Sequence, residues 1–203
     1  PEVLMAAIAA TTKRIRIGSA GVMLPHYSPL KVAEQFRVLD ALAPGRIDLG
    51  LGRAPGSDGK TAYALNPNAA TAADQFPSSV RDLMAWVSGE TLADGHPFAA
   101  IRAFPTGPTG PVPWMLGTSD YGAQVAAHFG IPYCFAHFIT DGRGVERAFN
   151  VYRENYQPSE AFPEPVATVC VWALTAETEQ RAKYIFAPRA HNKVMREYGQ
   201  LSA

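Results

Sequence analysis

Three segments of this chain place glycine, hydroxyl or guanidinium groups where an anionic or planar ligand could be held. In GTSDYGAQVAAHFG, residues 117–130, Gly117, Thr118 and Ser119 precede an amphipathic run. The first backbone N–H groups of a helix lack partners and its dipole is positive there, so a phosphate fits, with both hydroxyls as further donors. The same residues also read as a plain helix start with Ser119 as N-cap. In LGLGRAPG, residues 49–56, Gly50 and Gly52 remove Cβ where a strand turns into a loop, and Arg53 could grip a phosphate bidentately. A loop needing positive φ beside a solvated arginine is the alternative. In IGSAGVML, residues 17–24, Ser19, Ala20 and Gly21 leave room for a flat ligand, or for close packing of backbone on a neighbouring element.

Histidines supply the groups that titrate near neutrality. His26, His137 and His191 all fall at predicted strand ends, where such a side chain can orient a substrate or donate a proton. A satisfied loop histidine is the alternative for each. His137, which directly follows its strand, and His26 are the catalytic candidates; His96 and His128 are given no role. Asp48 lies mid-strand on the face opposite Ile47, Leu49 and Leu51, and a buried carboxylate there needs hydrogen-bonding partners. Cys134 and Cys170 sit in apolar runs without metal-site spacing, so both read as small buried hydrophobes and no metal is expected.

The elements that must position these residues alternate between strand and helix. Residues 2–10 read as a helix with Val3, Leu4, Ala7 and Ile8 on one face, followed by the strand IRIGSAGVML. Ser28-Pro29 opens a helix carrying Val32, Phe36, Leu39 and Leu42, which stops at Pro44-Gly45 before the strand IDLGL. A long loop, residues 52–73, leads to a helix marked by Val80, Leu83, Met84 and Val87. Loops of that length are commonly functional. After an irregular stretch, residues 95–113, come the strand VPWMLG, a helix ending at Gly130, and the strand IPYCFAHF. Val145, Ala148, Val151 and Tyr152 mark another helix, and VATVCVWAL another strand. Such alternation implies a parallel sheet, either an open doubly wound one or a closed barrel.

The chain is 203 residues long, 47% hydrophobic and formally uncharged at pH 7, enough for one domain over residues 1–203 with a proper core. Scattered charges at zero balance give no attraction to nucleic acid or an anionic membrane, so small-molecule partners are expected. No apolar run approaches the ~20 residues of a membrane span, and the default location is cytoplasmic.

The segments RIRIGSAGVMLPHYSPLKVAEQFRVLDAL, APGRIDLGLGRAPG and WMLGTSDYGAQVAAHFGIP resemble the bacterial-luciferase-like flavin-dependent monooxygenases, over residues 1–53 and 112–137. The resemblance implies a (β/α)₈ TIM barrel binding FMN at the carboxyl ends of its strands. It implies an oxidoreductase in which reduced FMN, supplied by a flavin reductase, and O₂ oxygenate a small organic substrate, and a homodimer. It assigns the FMN phosphate to Gly117, Thr118 and Ser119 with Arg53, and a non-prolyl cis peptide between Ala20 and Gly21 to the underside of the ring. Gly52 stands where the luciferases proper carry a cysteine, so no thiol chemistry is transferred.

About six βα units fit in this length, so the barrel reads as incomplete. The family's first two strands, ending in a Trp-x-x-Glu-His-His-like segment, are expected to be absent. A helix of barely two turns running into strand-like Tyr184-Ile185-Phe186 suggests an omission between Lys183 and Tyr184, with YIFAPRAHNKVMREYGQLSA resembling the family's last strand and terminal helix. Two alternatives stand beside the monooxygenase: a deazaflavin-dependent oxidoreductase of the same fold, and a non-catalytic flavin-binding or dimerisation module.

Overall fold

In the computed structural model, which describes residues 2–200, helices alternate with five parallel strands. The order begins with α1 (Glu2–Thr11), β1 (Ile17–Met23), a 3₁₀ turn at Leu24–His26, α2 (Pro29–Leu42) and β2 (Ile47–Gly52). It continues with α3 (Gly59–Leu65), α4 (Ala69–Asp74), α5 (Phe76–Ser88), β3 (Val112–Gly117) and α6 (Asp120–His128). The remaining elements are β4 (Tyr133–Phe135), α7 (His137–Thr140), α8 (Val145–Glu154), β5 (Ala167–Val169) and α9 (Glu179–Glu197).

Strand order in the sheet is β1-β2-β3-β4-β5, the order of the chain. A doubly wound sheet reverses its order at a switch point, whereas a (β/α)₈ barrel never does. The alternative left open by periodicity is thereby resolved in favour of barrel winding, and this chain builds an open arc of it. Ile47, Leu49 and Leu51 of β2 are fully buried towards the helices, each contributing about 1.5–3 kcal/mol. Asp48, Gly50 and Gly52 alternate onto the other face. That parity brings backbones together: a Cβ on Gly50 would lie 2.1 Å from the Ser19 carbonyl oxygen, and one on Gly21 2.7 Å from the Gly50 carbonyl oxygen.

Polar staples order the connections. Buried Arg37 of α2 donates to the carbonyls of Val87 and Pro105, and buried Asp40 accepts from Thr109 Oγ1 (2.6 Å) and the Gly45 amide (3.0 Å). Residues 89–111, which contain no helix or strand, are thus fastened to α2. α6 ends in a Schellman motif, with Gly130 at φ +59°, its amide on Ala127 and the Ile131 amide on Ala126.

Several expectations need correction. On α1 the buried residues are Met5 and Ala9, while Val3 and Leu4 are exposed; with two apolar faces available, packing on α2 selected the other one. Leu42 is half exposed. The stretch at residues 52–73 is not one irregular loop but carries α3 and most of α4, the former capped by Asp58, whose carboxylate accepts from the Lys60 and Thr61 amides. Tyr184–Phe186 are helical rather than extended. α9 runs unbroken through Lys183–Tyr184, started by the Thr178 hydroxyl and supported by a Lys183–Glu179 pair. His191 consequently lies exposed on a helix, away from any strand end, and the last three residues assigned to a terminal helix, 201–203, lie outside the described ones. Among the described residues no helix is long and apolar enough to cross a membrane.

Candidate functional site at the carboxyl ends of the strands

Parallel strands put all five carboxyl ends on one edge, and the segments singled out above meet there. On β1 the peptide between Ala20 and Gly21 is cis, and the register with β2 shifts between Ser19 and Val22. Ser19 fixes this irregularity: its hydroxyl donates to the Gly50 carbonyl (3.0 Å) and accepts from the Gly50 amide (3.1 Å). Gly21 and Gly50 are required by the approach of the two strands. Gly52 is not, since a Cβ there would meet nothing closer than 3.8 Å.

Arg53 follows β2 and reaches sideways. Its Nε donates to the Ala73 carbonyl (3.2 Å), and its guanidinium carbon lies 4.6 Å from the ring centroid of Tyr121 in the first turn of α6. Its two terminal nitrogens have no hydrogen-bond partner among the described residues. The loop after β2 and the helix after β3 are thereby brought together. Tyr121 was not anticipated from sequence, although its place two residues after Ser119 puts it in the same helical turn.

At the start of α6, Ser119 is the N-cap in extended conformation, but its side chain makes no capping bond. Its exposed hydroxyl is therefore free for a ligand, which the plain-cap reading did not foresee. Asp120 would oppose an anion here, but Arg147 neutralises it with Nη2 2.5 Å from Oδ2. The Gly117 carbonyl is held by the Ala136 amide (3.0 Å) and the Tyr133 hydroxyl (3.2 Å). Burial pushes the Tyr133 phenol well above its ordinary range, so it remains a neutral donor.

The two catalytic candidates sit three strands apart, about 14 Å at the spacing of a sheet, and are not brought together. His26 is 6% exposed, its Nε2 donating to the Pro55 carbonyl (2.9 Å), with Nδ1 buried and unpartnered. That geometry anchors the loop after β2, as does Asn66, which donates to the Pro25 carbonyl (2.8 Å). His137 opens α7 at the end of β4, its ring against Gly142. It lines a cavity of about 450 Å³ with Phe138, Trp172 and Arg189.

Asp48 has the partners a mid-strand carboxylate needs: Arg16 donates Nε and Nη2 to its two oxygens (2.9 and 2.7 Å), and Trp114 Nε1 adds a third bond (3.0 Å). Cys134 and Cys170 are free thiols, only partly buried, and burial pushes the Cys134 thiol up, away from thiolate chemistry.

A family model described as luciferase-like monooxygenase matches residues 1–202. The chain is 48% identical over 187 residues to an uncharacterized Bacillus subtilis protein, YwcH, across 92% of this chain and 56% of the relative. It is 43% identical over 205 residues to a luciferase-like monooxygenase of Escherichia coli K12, across 98% and 59%. That alignment leaves no room for an extended omission between Lys183 and Tyr184. The crystal structure of apo-MsnO8 matches with a TM-score of 0.82 at 38% identity, over 98% of this chain and 57% of that one. Two more distant structures share the fold alone. One is the oxygenating constituent of 3,6-diketocamphane monooxygenase from Pseudomonas putida in complex with FMN (TM-score 0.66, 20% identity, 98% and 62% covered). The other is an F420-dependent secondary alcohol dehydrogenase (0.65, 16%, 91% and 58%). The chain thus spans little more than half the length of the proteins it matches.

Proposed function

The chain belongs to the luciferase-like monooxygenase family, and we propose from this that its full-length protein uses reduced FMN and O₂ to oxygenate a small organic substrate. The observation that carries the FMN reading is the convergence of Arg53 on the first turn of α6. Reduced FMN, when bound, activates O₂ so that one oxygen atom enters the substrate and the other leaves as water. The residues fit its phosphate: unpaired amides and the Thr118 and Ser119 hydroxyls at the helix start, Gly117 without a side chain, and Arg53 with two unused nitrogens. Helix dipole and guanidinium together offset the phosphate charge.

Ala20, exposed on the inner side of β1, and Gly21 offer a flat, side-chain-poor surface to the ring, with Gly52 beside them. His137, at the cavity wall, is the proton-transfer group of this reading. His26 acts at one remove by anchoring the loop after β2. That loop, with α3 and α4, excludes water from the strand ends. Delivery of reduced FMN by a separate flavin reductase, a homodimer and a cytoplasmic location complete the reading. The homodimer is supported by Val3, Val38 and Phe104, exposed together around one apolar hollow between α1 and α2.

Titration of the full-length protein with FMN and with a deazaflavin, followed by fluorescence quenching, tests the cofactor. FMN is expected to bind at micromolar concentration or below, and substitution of Arg53 by Ala to weaken it about tenfold or more. Preference for the deazaflavin, or no dependence on Arg53, would sink the assignment.

A further inference from the structure

The cavity beside His137 lies between α7 and α9, past the carboxyl ends of β4 and β5. At about 450 Å³ it falls in the size range of small-ligand sites. It is an open cleft with apolar and aromatic walls, Phe138, Trp172 and Phe186 with Val171 and Val194, of which all but Phe138 are exposed to solvent. Phe138 meets Trp172 edge-on at 5.7 Å between centroids, which fixes the indole as one flat wall.

Four charged groups line the same space. Lys193 is bonded to Asp141, and its ammonium holds that carboxylate below the ordinary range, so the two cancel. Glu197 is exposed and two helical turns beyond Arg189. Arg189 lies half-buried with its guanidinium carbon 4.6 Å from the Trp172 ring centroid, and among the described residues no carboxylate pairs with it. Lying over the indole holds the guanidinium at the cavity wall, and a cation over a ring face keeps its N–H donors at the periphery available to a ligand.

We propose that this cavity binds a small monocarboxylic acid with an aromatic or branched apolar body, the body against Trp172 and Phe186 and the carboxylate on Arg189. A bidentate arginine suits a carboxylate geometrically, and burial of the apolar body supplies the remaining affinity. With His137 on the same wall, the acid is the substrate class of the monooxygenase, and this last step rests on the function proposed above.

Calorimetric titration of the full-length protein with phenylacetate, its methyl ester and phenethylamine, first without FMN, tests the cavity by itself. Phenylacetate is expected to bind about tenfold or more tightly than ester or amine. Arg189→Gln should erase the difference, and Val194→Trp, which fills the cavity, should abolish binding, both with unchanged circular dichroism. Equal binding of acid and ester, or an acid preference that survives Arg189→Gln, would overturn the proposal. Arg189-dependent binding of the acid in a protein that fails to bind FMN would leave the cavity standing and remove the monooxygenase reading.

Discussion

The guanidinium of Arg53 lies over the ring of Tyr121 at 4.6 Å, tying the end of β2 to the first turn of α6, the helix that follows the neighbouring strand β3. The contact keeps the guanidinium beside the helix start, and under the proposed FMN reading the two residues would act as a unit on the phosphate. Tyr121→Ala should therefore weaken FMN binding several-fold, and it should do so less in an Arg53→Ala background than alone. A double-mutant cycle read by flavin fluorescence would detect that coupling, and strict additivity would argue that the stack is incidental.

Gly50 and Gly52 are two residues apart in one strand and should respond oppositely to a methyl group. Gly50→Ala drives Cβ to 2.1 Å from the Ser19 carbonyl oxygen and is expected to cost about 3 kcal/mol or prevent folding. Gly52→Ala has open space and should change stability by less than about 0.5 kcal/mol. Urea denaturation of the two variants compares them directly, and similar losses would contradict the crossing geometry of β1 and β2.

Tyr152 of α8 is fully buried, donating to the Ile131 carbonyl (2.9 Å) and accepting from the Val166 amide (3.1 Å). Burial pushes its phenol up to about 12 from an ordinary 10.0. The folded state thus holds this proton more tightly than the unfolded state. The associated stability is fully present below pH about 10 and is lost as pH rises through about 12. Tyr152→Phe should cost about 1–2 kcal/mol at pH 7 through the two orphaned backbone groups, and should flatten the fall in stability between those pH values. An unchanged alkaline slope would show that other groups govern it.

His26 should be replaceable by a residue that donates from the same place. His26→Ala is expected to loosen residues 53–58, raising their amide exchange and protease sensitivity, whereas Glutamine in its place should restore most of the protection through the bond to Pro55. Equal exchange in both variants would remove the anchoring role.

The candidate residues legible in the sequence are those whose signal is local. Gly117, Thr118 and Ser119 announce a helix start, Gly50 a strand position that must lack a side chain, which Gly52 does not share, and His137 follows its strand closely. Winding was not available locally, because strand order is a property of pairing and not of periodicity. Tyr184-Ile185-Phe186 is too short a run to separate strand from helix, and the Thr178 cap and Glu179–Lys183 pair that decide for helix lie upstream of it. With α9 misread, Arg189 and Trp172 could not be brought together, since their contact joins a helix to the end of a different strand. Val3 and Leu4 face solvent for a similar reason: ten residues offer two apolar stripes, and only the neighbouring helix chooses.

Arg37 grips the chain at two carbonyl oxygens, that of Val87 in the last turn of α5 and that of Pro105 within residues 89–111, and so fixes the course of the backbone at those two points rather than through their side chains. Between the residues that are themselves anchored, Leu92, Ala103 and Thr109, the sequence can drift while the course stays put. A connection that would ordinarily wander can serve as a fixed rim beside the barrel, moored at three points to helices that the core already holds in place.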